Sequence, residues 1–429
     1  MIKKVFVKGP MYSQSGYGQH ARMIIRALRS REDLFDVYIQ PIKWGLTGWI
    51  WEDDDERRYL DQTLQKTVAY IQSGGRFDIS VQVTIPGEFE KIAPINIGVT
   101  AGIETTKVSA QWIEKCNMMD KVIVPSEFAK WGFDNTVYET IDSASKKQLG
   151  TLSCKTPIEV VSYPVRDDLD NVVPSEHIKN LDFPGSDFNF LMVAQWSPRK
   201  NIENTVKWFV EEFIDNENVG LILKINKKDN SEIDKFYVRR MIDNLLSEYG
   251  ERKCKIYYLH GDMSEADLHN LYLHPKIKAL YNIAHGECFG LPMFEAAYQG
   301  LPVVTVNWGG QLDFLNIYNK EKKKNEAFFA RVSCNVAPIQ KEVYWENILI
   351  PDSMWAFADS GSVKMQLRKV YKEYGIYQGR AGKLKKHLRE KLSLSNINKQ
   401  ACLAIGGEEK SETANIAEWL AKMNVKEFK

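Results

Sequence analysis

The spacing of apolar residues divides this chain into an alternation of buried strands and amphipathic helices. Short apolar runs predict strands over 4–8, 77–83, 95–100, 121–124 and 157–165. A second series is predicted over 188–195, 219–227, 254–259, 279–284 and 301–306. Segments of helical periodicity lie between them, among them 21–29, 202–213 and 265–273. Strands that alternate with helices build a parallel sheet, and two such series predict two α/β units. The polar stretch between the series carries Pro174 and Pro184 and reads as a linker. The predicted limits are a first domain over 1–170, a linker over 171–186, a second domain over 187–394 and a helical segment over 395–429.

The most informative stretch runs from Lys278 to Phe314. An apolar strand ends in the polar loop His285-Gly286-Glu287-Cys288. Gly290-Leu291-Pro292 then opens a helix on which Met293, Phe294, Ala297 and Tyr298 recur at helical spacing. Proline suits a first helical turn, which needs no backbone donor there. Gly300 stops the helix, and a second buried strand leads to the turn at Gly309-Gly310. The amides of Phe289, Gly290 and Leu291 stand at the helix start, where an anion such as a diphosphate binds. Glu287 and Glu295 flank those amides, and a carboxylate accepts the hydroxyl hydrogens of a sugar or ribose. Taken alone, two such glutamates are more often a solvated side chain and a complement to the helix dipole.

The surrounding pattern changes that weighting. Glu287-Cys-Phe-Gly-Leu-Pro-Met-Phe-Glu295, followed by Gly300-Leu-Pro-Val-Val and Gly309-Gly310, resembles the Glu-x7-Glu signature of retaining, nucleotide-sugar-dependent glycosyltransferases of the GT-B fold. The resemblance implies two Rossmann-like domains facing across a cleft. It also implies a nucleotide-diphosphate sugar as donor, Glu287 on the sugar hydroxyls and Glu295 on the ribose. Trp196-Ser-Pro-Arg199-Lys200-Asn201 follows the first strand of the second series, which ends at Gln195, a donor-binding candidate. It is similar to the family's pyrophosphate clamp, with Lys200 and Arg199 as the cations. Outside that context a solvated basic turn is the commoner reading. The final helical segments, by the same resemblance, cross back onto the first domain.

In the first half, Met11 to His20 forms a glycine-bearing loop between a strand and a helix, with Gly16 and Gly18 free to let backbone approach a ligand. Such loops are as often plain tight turns. His20 is an acceptor-side candidate, although a packed or capping histidine is the commoner role. Gly98 to Thr106 and Asp120 to Phe128 resemble later first-domain strands of the same family, and Glu104 and Thr105 are the residues expected to face the acceptor. This sequence lacks the histidine that relatives carry at the first of these loops. Trp44, Trp49 and Trp51 either stack on a sugar or base or pack their own loop onto the domain. Asp53-Asp54-Asp55 reads as a helix start and not as a metal site.

Composition sets outer limits. The 429 residues are 44% hydrophobic and 26% charged, with net charge +1, so no overall field recruits nucleic acid or anionic lipid. Six scattered cysteines show no paired or metal-ligand spacing, which fits reduced thiols in a bacterial cytoplasm. No apolar run reaches the length of a membrane span. The expectation is a metal-independent glycosyltransferase that needs no cofactor besides its UDP- or GDP-sugar donor. The acceptor is left open between a saccharide or small hydroxyl compound and a hydroxymethylcytosine in DNA, as for phage enzymes that sugar-modify their genome. Basic clusters at 320–324 and 379–391 allow the second without favouring it. The first of these is expected to be part of an exposed insertion. The alternatives are a catalytically silent sugar-nucleotide-binding protein and a GT-B-like epimerase or phosphorylase.

Overall fold

The computed structural model describes residues 2–45, 47–141 and 147–407. Two six-stranded parallel sheets organise them. The first contains β1 (Lys3–Gly9), β2 (Phe35–Pro41), β3 (Ile79–Val83), β4 (Ile95–Val99) and β5 (Lys121–Val124). A separate antiparallel hairpin, β6 (Val137–Ile141) and β7 (Gln148–Ser153), precedes the edge strand β8 (Ile158–Val160). The spatial order is β2-β1-β3-β4-β5-β8. In the second sheet β9 (Phe188–Gln195), β10 (Val219–Asn226), β11 (Lys255–Leu259), β12 (Ile277–Asn282) and β13 (Val303–Val306) are joined by a later edge strand. Before that edge comes the hairpin β14 (Asn316–Asn319) and β15 (Lys324–Ala327), then the edge itself, β16 (Ala330–Val332). Its order is β11-β10-β9-β12-β13-β16.

Both orders reverse direction once, between β1 and β3 and between β9 and β12. Ligands of open α/β sheets bind beyond the carboxyl ends of strands at such reversals. The loops that follow β1, β9 and β12 are therefore the ones positioned for chemistry. The loops after β9 and β12 hold Arg199 and Lys200, and Glu287, while Gly16 and Gly18 stand in the first turn of the helix after β1, which starts at Gly16 and not, as the sequence predicts, at 21.

The strands are buried on both faces, as helix-covered parallel strands must be. Val5, Val7, Val81, Val83, Leu191, Ile222 and Leu280 are all fully inaccessible. One apolar cluster runs through both halves and includes Met11, Tyr163, Phe289 and Met293. The rings of Tyr163 and Phe289 lie 4.9 Å apart across that join. The chain also returns physically to the first half. Helix Leu394–Ala404 packs on helix Gly16–Arg29, Cys402 Sγ donates to Ala27 O, and Lys121 Nζ donates to Ala404 O at 2.9 Å. Residues 408–429 of the expected tail lie outside the described residues.

Three elements add to the sequence expectation. Strand β2 carries charged or polar residues at Asp36 and Gln40, which interrupt its apolar run. The basic run at 320–324 is the turn of the β14–β15 hairpin and the start of β15. A further hairpin, β17 (Cys334–Pro338) and β18 (Met354–Ala358), takes in Trp355. A helix over Ser360–Lys372, capped by Asp359, follows it.

Candidate functional site at the cleft

Local sequence sets each wall of the cleft. Ser15 caps helix Gly16–Arg29 by accepting from Gly18 N at 3.1 Å. A Cβ on Gly18 would lie 1.9 Å from Ser13 O, so only glycine lets this loop close. A Cβ on Gly16 would meet Leu291 Cδ1 at 4.0 Å, which puts the glycine loop opposite the start of helix Leu291–Gln299. Gly290 caps that helix with φ +92°, in the left-handed region that favours glycine. The amides at such a helix start have no intrahelical acceptor. The Phe289 ring packs into the apolar core against Phe294 and Phe314, so its contribution to the cleft is its backbone.

Four charged side chains meet beside that helix. Arg199 lies 3.2 Å from Glu287 and 3.1 Å from Glu104, and also donates to Gly286 O at 2.7 Å. Lys200 pairs with Glu287. The loop carrying the cations is tied to the loop carrying Glu287, because His285 N donates to Arg199 O at 2.8 Å. Burial alone would push the Glu287 carboxyl up, but Lys200 and then Arg199 outweigh it and hold it below the ordinary value. Burial lowers Lys200, with Glu287 pulling the other way and the like charge of Arg199 adding to the fall. Burial also works against the Arg199 charge, but Glu104 and Glu287 raise it well above its usual range.

Glu295 sits apart from this group. It lines a small cavity with Gln19, Arg166, Glu265, His269, Tyr272 and Tyr298. Tyr272 Oη donates to its carboxylate at 2.8 Å. Burial pushes the Glu295 carboxyl up to about 7 against the lowering effect of that hydrogen bond. Next to it Glu265 is pulled far down because Arg26, Arg166 and Arg22 together overcome its burial. Tyr272, Arg166 and Glu265 carry no motif of their own. Glu265 and Tyr272 belong to one predicted helix, 265–273, but no local pattern brings either of them to Glu295.

The remaining predicted residues fall into place unevenly. Gln195 is exposed at the end of β9, where its amide donates to Lys227 O at 3.0 Å. Thr105 is buried and its hydroxyl donates to Lys107 O at 3.2 Å, which staples its own loop. His20 does not face the cleft surface: it is fully buried with its ring 5.0 Å from Tyr163. Burial drives its pKa down to about 3, so it stays neutral. Its position on the inner face of helix Gly16–Arg29 explains this, with Ala21, Ile24 and Ala27 equally buried. In the tryptophan loop, Trp44 packs on Tyr17 and Trp49 stacks on Tyr12 at 5.5 Å, while Trp51 stays 62% exposed. Asp54 caps helix Asp55–Gln72 and Asp53 pairs with Arg58. Among the described residues no group of three or more His, Cys, Asp or Glu side chains is arranged to hold a metal ion.

No protein-family model and no curated protein sequence matches the chain. Solved structures do. The Anabaena protein Alr3699/HepE, in complex with UDP and glucose, superposes with a TM-score of 0.59 over 94% of this chain and 99% of its own, at 14% identity. The chain has the GT-B fold. Sucrose-phosphate synthase from Thermosynechococcus elongatus gives 0.57 over 93% of this chain and 97% of its own, at 13% identity. A UDP-forming trehalose-phosphate synthase from Burkholderia xenovorans gives 0.57 over 94% and 99%, at 10% identity. Among the described residues no helix is long and apolar enough to cross a membrane.

Proposed function

We propose that this GT-B chain is a retaining glycosyltransferase, moving a sugar from a nucleoside-diphosphate donor to an acceptor hydroxyl. The observation that carries the reading is the convergence of Arg199, Lys200 and Glu287 at the mouth of helix Leu291–Gln299, opposite the glycine loop. In this reading residues 1–170 take the acceptor, residues 187–394 hold the donor, and the transfer needs no metal.

As the bond from the anomeric carbon to the diphosphate loosens, positive charge grows on the sugar ring and negative charge on the leaving phosphate. Arg199, Lys200 and the amides of 289–291 stabilise that phosphate. Each well-placed donor contributes about 3 kcal/mol, the scale of an oxyanion-hole contact. The ionised Glu287 orients sugar hydroxyls, and Glu295 beside Tyr272 takes the ribose hydroxyls. The Anabaena neighbour was solved with UDP-glucose, so UDP-sugars are the first donors to try. A panel of UDP- and GDP-sugars, with nucleotide release as readout, tests the reading. Turnover that is lost in Lys200→Ala is expected. Binding of a donor without any turnover, with or without acceptors, would leave a silent sugar-nucleotide-binding protein instead. Phosphate-dependent release would indicate a phosphorylase, and donor interconversion without acceptor an epimerase.

For the acceptor we take a saccharide or small hydroxyl compound as the first reading and DNA as the second. The basic residues that would meet phosphates are already paired in part, Arg389 with Asp170 and Lys322 with Glu326. Duplex DNA carrying hydroxymethylcytosine is expected to show no appreciable binding at physiological salt and to accept no label.

A further inference from the structure

The four charges around Arg199 cancel: two cations, Arg199 and Lys200, face two carboxylates, Glu104 and Glu287. A diphosphate brought to these cations meets carboxylates that already neutralise them, so one carboxylate must give way. Glu287 shares a domain with both cations, is contacted by both, and its side chain is 9% exposed. Glu104 comes from the opposite half, meets Arg199 alone among the described cations, and is 24% exposed. Its ion pair is therefore the weaker and the better hydrated of the two.

The backbone that carries Glu104 is held in place. Thr106 N donates to Met354 O at 2.9 Å, and Met354 N donates to Thr106 Oγ1 at 3.0 Å. Lys107 pairs with Asp352, and Ser109 Oγ donates to Asn347 O at 2.8 Å. Ile348 and Leu349 pack against the first-half core. The residues joining β17 to β18 thus strap the loop from the second half, so the Glu104 side chain can swing while its loop stays put.

We propose that Glu104 is a cross-cleft gate and positioning residue. It holds Arg199 in the closed, unliganded cleft, yields it to the donor diphosphate, and with its carboxylate then free accepts the hydrogen bond of the incoming acceptor hydroxyl. Binding is consequently ordered, donor before acceptor. This rests on the glycosyltransferase reading and deepens it.

The test is a calorimetric titration of UDP and of the active donor into wild type, Glu104→Gln and Glu104→Asp, each checked for an unchanged thermal melt. Acceptor KM and kcat are then measured for all three. Glu104→Gln should bind UDP about tenfold more tightly, the factor that one removed charge-assisted contact gives, and show a raised acceptor KM. Glu104→Asp, which keeps the charge, should restore the wild-type nucleotide affinity. Equal UDP affinity in Glu104→Gln and wild type, while wild type still transfers sugar, overturns the gate and leaves the enzyme reading intact. Failure of wild type to bind any nucleotide or donor removes both.

Discussion

Replacing Glu295 by glutamine isolates the cost of a buried carboxylate. Its pKa stands at about 7, against 4.5 for an unperturbed glutamate, because burial outweighs the Tyr272 hydrogen bond. The folded protein therefore holds this proton more tightly than the unfolded chain. Below pH 4.5 both states are protonated and the group costs nothing. Between pH 4.5 and 7 the unfolded chain ionises first, so stability falls as pH rises, and above pH 7 the loss is complete. The difference of 2.5 units, 7 minus 4.5, corresponds to at most about 3 kcal/mol at 1.36 kcal/mol per unit. Glutamine carries no charge and keeps a group that Tyr272 can donate to. Glu295→Gln should therefore gain stability over wild type at pH 8 by up to about 3 kcal/mol, and gain none of it at pH 4.5. Thermal melts of both proteins at the two pH values measure this. Donor binding supplies an independent readout, since an ionised carboxylate accepts ribose hydroxyls more strongly than a neutral acid or amide does. Wild-type affinity for UDP should rise as pH passes about 7, and the variant should show no such rise. A pH-independent difference between the two proteins in both measurements refutes the reasoning.

Three further variants have expected outcomes. Lys200→Met should lower kcat by roughly 10²–10³, as for loss of one oxyanion donor. The same variant should also melt lower, because Glu287 keeps only Arg199 as a cationic partner among the described residues. Gly286→Ala should separate donor binding from transfer. Its Cβ would stand 2.2 Å from the backbone oxygen of Glu104, so the halves must part there, and UDP binding should survive in calorimetry while sugar transfer falls. His20→Phe should leave transfer unchanged in the donor-panel assay, since the imidazole is neutral, fully buried and packed at a tilt against Tyr163.

What the sequence discloses and what it hides divide along the range of the interactions concerned. Helix Leu291–Gln299, its glycine caps and the placing of Glu287 before it are all written into about a dozen consecutive residues. Gly290 and Gly300 mark its ends with positive φ, and Pro292 fits where no donor is needed. Strand β9 and helix Ile202–Phe213 are equally local, with Arg199 and Lys200 fixed between them. The pairing of those cations with Glu287 is one step less local, yet both loops leave adjacent strands, β9 and β12, so the parallel topology alone brings them together. This wall of the cleft is therefore legible from sequence.

The opposite wall depends on contacts that no local pattern announces. Glu104 reaches Arg199 from the other sheet, and its loop is fixed by Asn347, Asp352 and Met354 from a hairpin whose strands lack a clear alternation. Arg22 is 2% exposed and lies 3.3 Å from Glu265 of the other half, a pairing of two residues that each look solvated in sequence. These long-range ties also decide how the cleft works. The aromatic contact of Tyr163 with Phe289 has no charge to trade, and a bound diphosphate leaves it untouched. The Arg199 contact is different, because an arriving diphosphate competes for the guanidinium with a carboxylate that is 24% exposed. A cleft closed by packing at one place and by an exchangeable ion pair at another keeps its two halves together while the donor enters. The one contact it gives up is the one that leaves a carboxylate facing the acceptor.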